Sequence, residues 1–337
     1  MIDPTRFVAS PSIPRVVDGE DRPLWSVMIP TYHCAAYLRE TLASALKEDP
    51  GAEAMQIEVV DDCSSADDPQ AVVRQLADGR VGFFRQAHRG GATNNFNTCI
   101  RRARGELVHI LHGDDLVDPG FYQQMKNLAE EHPPGALFAS RVRMIDAEGR
   151  VTSSSERVPA LERFGTTAAS LYYGNPLRTP AVVIRRSFYE QHGGFYEHLV
   201  HAADWEMWLR AIALGGGIMV NRFLARYRDF SGSDTSRLRR TAEHLRDYLR
   251  VGTIMASRHE DFDLNRFRLG VRLAAIDQVA RFRVRGDHEA AAANRSVLAE
   301  LKDVRVPLTW RVKEWVAALP WAGQAAIRLR ERIRARR

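Results

Sequence analysis

The chain has 337 residues, 45% of them hydrophobic, and this length allows one large α/β domain with an appendage or two domains. Its three cysteines lack CxxC spacing, so the sequence predicts neither a disulfide framework nor a zinc site. The net charge of +6 lies entirely between Arg311 and Arg337, where eight basic residues accompany two acidic ones. This distribution argues against a nucleic-acid-binding protein, whose basic residues would spread over the binding domain.

The first half of the chain alternates predicted strands and helices. Apolar runs predict the strands, while three- and four-residue spacing and Asp-Pro or Gly-Gly starts predict the helices. The predicted elements are strand Trp25–Ile29, a helix marked by Tyr37, Leu38, Leu42 and Leu46, strand Ile57–Val60, helix Asp68–Leu76, strand Arg80–Phe84, helix Thr93–Ala103, strand Leu107–Leu111 and a helix that starts at Asp118–Pro119. Such alternation predicts a mostly parallel sheet with right-handed crossovers.

The second half is less regular and ends in helices. Its predicted elements are strands Ala136–Ile145 and Val151–Ser153, loop Gly174–Pro180, strand Ala181–Ile184, helix Ala203–Leu214, and strand or loop Ile218–Arg228. From about Ser236 onward the pattern predicts helices, including an antiparallel hairpin that closes near Gly286. The sequence therefore predicts an N-terminal extension (1–23), an α/β domain (24–235), a helical extension (236–309) and a basic amphipathic tail (310–337).

Two acidic turns follow predicted buried strands: Asp61-Asp62 after Ile57–Val60, and Asp114-Asp115 after Leu107–Leu111. In open α/β sheets ligands bind beyond the carboxyl ends of the strands, so these acids are expected to converge on one crevice. Carboxylates are hard oxygen donors that suit Mg²⁺ or Mn²⁺, and such an ion would hold a diphosphate. The alternative is two acidic surface turns, since Asp is a favoured turn residue.

Six motifs in order resemble family 2 glycosyltransferases of the GT-A fold. They are Ile29-Pro30-Thr31-Tyr32, Val59-Val60-Asp61-Asp62-Cys63-Ser64, Arg104-Gly105-Glu106, Leu111-His112-Gly113-Asp114-Asp115, Gly193-Gly194-Phe195 and Ala203-Asp204-Trp205-Glu206-Met207-Trp208-Leu209-Arg210. The resemblance covers roughly Leu24 to Asp234. It implies an α/β, Rossmann-like GT-A fold with a helical C-terminal extension. It also implies inverting transfer of a sugar from a nucleoside diphosphate sugar, UDP-type favoured, to an acceptor hydroxyl, with Mn²⁺ or Mg²⁺ on the diphosphate.

The resemblance also implies a donor site. The residues expected to bind the nucleotide-sugar are Pro30, Thr31, Tyr32, Asp61, Asp62, Asn94, His112, Gly113, Asp114 and Arg228, and the expected metal ligands are Asp114 and Asp115. Asp62 matches the acid that usually reads the base, and Asp61 either supports it or caps a turn. His112 replaces the first acid of the DXD motif, and its ligation of the metal would favour a softer ion than Mg²⁺. Asn94 stands where the family often has arginine, so Arg228 either compensates for that charge or is a solvated arginine.

Asp204 matches the family's general base. A sugar hydroxyl is a poor nucleophile and must lose its proton as it attacks the anomeric carbon opposite the leaving diphosphate. The family's acidic pair is reduced here to Ala203-Asp204, and the alternative role for Asp204 is the N-terminal cap of the following helix. Arg178, Trp205 and Trp208 are candidates for acceptor binding. Their alternatives are a plain salt bridge for the arginine and core packing for the tryptophans.

The C-terminal tail predicts contact with an anionic membrane surface. Val312, Trp315, Val316 and Leu319 form an apolar helical stripe, and three of the six tryptophans lie at positions 310, 315 and 321. The alternative is that the tail packs on the protein's own body. The N-terminus lacks the order of a signal peptide, and no apolar run reaches about eighteen residues. We therefore expect a cytoplasmic protein, peripheral on the inner face of the cell membrane, with a lipid-linked or cell-envelope glycan acceptor.

Two other functions remain open at this point. A sugar nucleotidyltransferase shares the Rossmann-like front and metal acids, but it typically opens with a Gly-rich basic loop, which Pro30-Thr31-Tyr32-His33 is not. A non-catalytic scaffold of a membrane glycan complex is suggested by His112 and Ala203, which replace family acids. The presence of Asp62, Asp114 and Asp204 argues against the scaffold.

Overall fold

The structure is a computed structural model that describes residues 10–16, 22–77, 79–165, 168–230, 232, 234–308 and 310. The described residues fall into two compact units, one ending at Phe230 and the other following it. The predicted tail stripes beyond Trp310 lie outside the described residues.

One sheet with helices on its connections makes up the first unit. Among the described residues its strands are β1 Trp25–Thr31, β2 Met55–Asp61, β3 Gly82–Arg85, β4 Leu107–Ile110, β5 Leu116–Val117, β6 Leu137–Ile145, β7 Val151–Ser154, β8 Val182–Arg185 and β9 Gly217–Arg228. Its helices are α1 Ala35–Leu46, α2 Pro69–Ala77, α3 Ala92–Arg102, α4 Phe121–Glu131, α5 Arg186–His192 and α6 Ala203–Gly215. Short 3₁₀ helices occupy Pro159–Glu162, Ala168–Leu171 and Thr179–Ala181. The α/β class expected from the sequence is confirmed.

The strand order is β3-β2-β1-β4-β8-β6-β9-β5, with β7 paired to β6. Strands β1 to β4 pair in parallel, as the alternation predicts, whereas β4–β8, β8–β6, β9–β5 and β6–β7 are antiparallel. The sheet is therefore mixed, where the sequence predicted a mostly parallel one. Strand β8 runs antiparallel to β4 because the chain enters β8 beside the carboxyl end of β4. There His109 Nε2 lies 3.0 Å from the carbonyl oxygen of Pro180.

Local signals predicted one helix start correctly and another wrongly. Asp68 caps α2, since its Oδ1 accepts from Ala71 N at 3.1 Å. The helix expected at Asp118–Pro119 begins instead at Phe121, after Gly120 with a φ of 85°. Asp118 lies in the turn after β5, and its carboxylate pairs with Arg143 and Arg226 at 2.9 and 2.7 Å. The Asp118 carboxylate, which the local sequence pattern predicts as a helix cap, is therefore bound by two arginines from neighbouring strands.

The second unit is helical, as predicted. Its described helices are α7 Asp234–Arg240, α8 Glu243–Arg258, α9 Leu264–Val284 and α10 His288–Glu300. Asp263 and Asp287 cap α9 and α10 by accepting from Arg266 N and Ala290 N. Gly286, with a φ of 77°, closes the predicted hairpin between them. In the described ranges no helix is both long enough and apolar enough to cross a membrane.

Candidate active site

The ends of β1, β2 and β4 meet at one edge of the sheet. Asp62 N donates to Thr31 O at 2.9 Å, and Gly113 N donates to Pro30 O at 3.1 Å. A Cβ at Gly113 would lie 2.7 Å from Cys34 Sγ and 2.8 Å from the Thr31 methyl, so only glycine allows the β4 turn to approach β1 this closely. The structure therefore brings the predicted donor-site loops together.

Asp61 is fully buried and serves as the centre of a turn. Its oxygens accept from Ser64 Oγ at 2.6 Å, Ser64 N at 3.1 Å and Arg85 Nε at 2.7 Å. Thr31 Oγ1 adds a longer bond at 3.3 Å. Of the two roles expected for Asp61, the structure provides the turn-capping one. Its contact with the nucleotide remains a prediction.

Asp62 anchors the loop that leads into α3. Its Oδ1 accepts from Gly90 N at 2.7 Å and Gln86 Nε2 at 3.0 Å, and its Oδ2 accepts from Gly91 N at 2.8 Å. Each carboxylate oxygen has two acceptor positions, so these bonds leave room for a further donor. The role of Asp62 in reading the base remains a prediction.

The second acidic turn forms a cluster of three candidate metal ligands. Single atoms of His112, Asp114 and Asp115 lie within 4.8 Å of one another. Asp115 is fully buried, and its Oδ1 accepts from Arg228 N at 2.7 Å. Among the described residues its Oδ2 has no hydrogen-bond partner, and neither has His112 Nε2, although both atoms are buried. His112 Nδ1 lies 3.6 Å from Asp115 Oδ2, and Phe96 stacks on the imidazole at 5.0 Å.

Burial disfavours the charged forms of His112, Asp114 and Asp115. Burial raises the pKa of Asp114 to about 6 and, together with the neighbouring Asp114 charge, raises the pKa of Asp115 well above its usual range. Burial lowers the pKa of His112 to about 4, so its imidazole is neutral at pH 7 and offers a lone pair. Two carboxylates, a neutral imidazole and two buried atoms without partners are a donor set that fits a divalent metal.

Arg228 packs against the turn formed by Asp114 and Asp115. Its side chain is fully buried, so the solvated arginine considered from the sequence is wrong. Its Nε donates to Asp114 O at 2.8 Å, its Nη1 donates to the carbonyls of Asp146 and Ala147 at 3.1 and 2.9 Å, and its Nη2 pairs with Glu40 at 2.8 Å. Every guanidinium nitrogen is engaged within the protein. The expected compensation by Arg228 for the missing charge on the diphosphate side remains a prediction.

Asp204 lies in the first turn of α6, partly exposed. The N-cap position belongs to Ala202, so the cap role considered for Asp204 is wrong. Its Oδ1 accepts from Trp205 N at 2.6 Å, and its Oδ2 accepts from Asn175 Nδ2 at 3.3 Å. The positive end of the helix dipole and these donors favour the ionised carboxylate, which is the form a general base requires.

Arg178 is linked to Asp204 through Asn175. Its Nη1 donates to Asn175 O at 2.7 Å and to Leu177 O at 2.9 Å, and its guanidinium lies 5.9 Å from the centre of the Tyr227 ring. Within the described residues Arg178 has no ion pair, so the plain salt bridge considered from the sequence is not seen there. Arg178 remains a predicted acceptor contact.

Trp205 and Trp208 are core residues. They are 4% and 1% exposed, and Trp205 Nε1 donates to Leu171 O at 2.8 Å. Trp208 packs edge-on against Phe195 at 6.3 Å. Side chains buried to this extent have no surface for a glycan, which corrects the expectation of acceptor binding. Spacing alone could not settle this, because α6 is buried on nearly all sides of its first three turns.

Tyr32 and Asn94 are further predicted donor-site residues, and two residues that sequence reasoning missed, Arg89 and Asn175, contact predicted site residues. Tyr32 stacks on His33 at 3.9 Å, and the guanidinium of Arg89 lies 4.2 Å from the Tyr32 ring centre. Asn94 is half-buried, and its Nδ2 donates to Gly90 O at 3.0 Å. Arg89 and Asn175 were not considered from the sequence. The available signals were a basic residue before Gly90-Gly91 and an Asn-Pro step before Arg178.

Comparison with known proteins defines the class. Residues 26–193 match the family model described as Glycosyl transferase family 2. The fold is the α/β GT-A fold, and the chain is a glycosyltransferase. The matched residues lie within the span of the motifs that resemble family 2.

Several relatives share part of the sequence. An uncharacterized protein of Mycobacterium tuberculosis is 29% identical over 246 residues, which are 69% of this chain and 75% of that protein. Chondroitin synthase of Escherichia coli is 26% identical over 64% of this chain, and the poly(ribitol-phosphate) beta-N-acetylglucosaminyltransferase TarS of Staphylococcus aureus is 28% identical over 37%. The matched regions span only 30% and 22% of the latter two proteins.

Solved structures share the fold. Staphylococcus aureus TarS in complex with UDP-GlcNAc superposes with a TM-score of 0.52 at 18% identity, covering 89% of this chain and 90% of that one. The mannosyltransferase PcManGT of Pyrobaculum calidifontis, in complex with GDP-Man and Mn²⁺, gives a TM-score of 0.53 at 17% identity, covering 96% and 92%. At these identities the likeness shows the fold alone.

Proposed function

We propose that this glycosyltransferase is inverting and moves a sugar from a nucleoside diphosphate sugar, UDP-type favoured, to an acceptor hydroxyl. The observation that carries the proposal is the cluster of His112, Asp114 and Asp115 at the end of β4. There, two buried polar atoms lack partners, and burial raises the pKa values of two carboxylates. A bound cation would contact the buried atoms and would favour the ionised carboxylates. It would in turn bind the diphosphate.

The reaction needs three contributions from the chain. Asp114 and Asp115 would hold Mn²⁺ or Mg²⁺, which would neutralise charge on the diphosphate leaving group. Pro30, Thr31 and Tyr32 line the nucleotide side, where the strand ends converge. Asp204 accepts the proton of the acceptor hydroxyl, and its carboxylate is partly exposed and held by the Trp205 and Asn175 donors for that task.

The acceptor is proposed to be a cell-envelope glycan. Support comes from sequence similarity to TarS and to the Bacillus subtilis minor teichoic acid biosynthesis protein GgaB, both over 37% of this chain. A lipid-linked acceptor and a peripheral location on the inner face of the membrane rest on the composition of residues 310–337.

Thermal shift and turnover test the proposal together. UDP-GlcNAc and GDP-Man, each with and without Mn²⁺ or Mg²⁺, should raise the melting temperature in a metal-dependent manner, because ligands that bind only the folded state stabilise it. Asp114→Ala should abolish that metal-dependent shift. Glu130→Gln, which removes a carboxylate from the exposed Lys126–Glu130 pair, is the matched control and should behave as wild type.

Asp204→Asn separates catalysis from binding. The change is nearly isosteric, so the donor-induced shift should persist while release of the nucleoside diphosphate slows by about two to four orders of magnitude. Wild-type turnover in Asp204→Asn would remove the general base. The absence of any donor shift would favour a non-catalytic scaffold, and a shift with nucleoside triphosphates alone would favour a nucleotidyltransferase.

A further inference from the structure

The loop Gly174–Arg178 makes a side-chain contact with Asp204. Asn175 Nδ2 donates to Asp204 Oδ2 at 3.3 Å, across 29 residues of sequence. Asn175 is followed by Pro176, which confines its backbone to extended conformations. Its carbonyl oxygen accepts from Arg178 Nη1 at 2.7 Å, so the arginine closes the loop on itself.

The orientation of the Asn175 amide is set by its other neighbour. Asn175 Oδ1 accepts from Leu177 N at 3.2 Å, and a backbone N–H can only donate. The amide nitrogen must therefore be the end that meets Asp204, which presents a donor to the carboxylate. Asp204 Oδ1 takes its own donor from Trp205 N at 2.6 Å, so both oxygens are held.

We propose that Asn175 is a positioning residue for Asp204, and this inference rests on the proposed function, in which Asp204 is the general base. The Asn175 amide fixes the rotation of the carboxylate and stabilises its ionised form. Without the amide, Asp204 Oδ2 loses a charge-assisted hydrogen bond, and the carboxylate is free to turn away from the acceptor hydroxyl.

Other charged groups lie on the elements around Asp204. On α6, Glu206 and Arg210 pair with each other at 3.0 Å. On the loop, Arg178 donates through its Nη1 to backbone carbonyls. His198 and His201 lie in the turn before α6, so their titration is to be followed in the same experiment as that of Asp204.

Two substitutions test the inference from opposite sides. Asn175→Asp keeps an oxygen for Leu177 N, so the turn survives, but it places a carboxylate against Asp204. Asn175→Ala removes both bonds. Asn127→Asp, on the exposed face of α4, adds the same charge away from the site and is the matched control. With ¹³C-labelled aspartate, the Asp204 signal is identified by its loss in Asp204→Asn, and its titration midpoint is read without any substrate.

The Asp204 midpoint should rise by about one pH unit or more in Asn175→Asp and should stay unchanged in Asn127→Asp. Turnover, measured as nucleoside diphosphate release from UDP-GlcNAc or GDP-Man, whichever stabilises the protein more, should fall about 10- to 100-fold in Asn175→Ala at unchanged donor KM. In Asn175→Asp the acidic limb of the pH profile of turnover should shift by the same number of pH units as the titration midpoint of Asp204.

The outcomes separate the inference from the proposed function. An unchanged midpoint in Asn175→Asp, or wild-type turnover in Asn175→Ala while Asp204→Asn is inactive, overturns the positioning role and leaves the base in place. Wild-type turnover in Asp204→Asn overturns the base, and the positioning role falls with it.

Discussion

The acidic turn at the end of β4 should destabilise the metal-free protein as the pH rises. Burial raises the pKa of Asp114 from 3.8 to about 6 in the folded chain. Between these values the folded state holds a proton that the unfolded state has released, so the free energy of unfolding falls as the pH rises through this window and levels off above it. The full shift corresponds to at most about 3 kcal/mol.

An experiment can follow the loss in free energy of unfolding between pH 5 and pH 8. Roughly half of the loss has already occurred at pH 5, which leaves about 1.4 kcal/mol for the accessible range. A domain of roughly 220 residues shifts its melting temperature by about 2–4 °C per kcal/mol, so the expected change is about 3–6 °C. Asp115, whose pKa is raised further, adds to the change in the same direction.

Asp114→Asn isolates the effect, because it removes the titrating group at almost constant shape. With a chelator present, the melting temperature of wild type should fall relative to Asp114→Asn between pH 5 and pH 8, and Mn²⁺ should restore it in wild type alone. Glu130→Gln should follow wild type at every pH. A constant difference between wild type and Asp114→Asn across the range, or equal stabilisation of both by Mn²⁺, would refute the reasoning.

Three further predictions concern the same site and the tail. Arg228→Met should lower the free energy of unfolding by about 3 kcal/mol, because buried carbonyls lose charged donors, and denaturant titration measures this loss; a change below about 0.5 kcal/mol would contradict the packing of Arg228. His112→Asp, which supplies the first acid of the usual motif, should increase stabilisation by Mg²⁺ relative to Mn²⁺ in calorimetry with UDP, and an unchanged ratio would separate His112 from the metal. Deletion of residues 310–337 should abolish co-sedimentation with anionic liposomes, which in wild type should weaken with salt; a wild-type chain that ignores such liposomes would contradict membrane contact.

The amino-acid sequence was sufficient for the features that depend on neighbours along the chain. The period of apolar residues predicted most strands and helices of both units, though not β5 or α5, and Asp68 capped its helix as its local chemistry requires. The rule that strand ends meet at one edge brought Asp62 and Gly113 together with the loop after β1. The motif order then predicted the GT-A glycosyltransferase class, which the comparisons confirm.

Only the tertiary structure decided what each polar or aromatic side chain contacts. Arg228 meets the Asp114-Asp115 turn across more than a hundred residues of sequence, because β9 pairs with β5 and β6. Trp208 is enclosed because α6 is buried on nearly every side, and Asn175 reaches Asp204 because its loop lies beside that helix. Helical and strand periods follow from backbone geometry within a few residues. Burial and hydrogen-bond partners follow from the packing of distant segments, which no local pattern encodes.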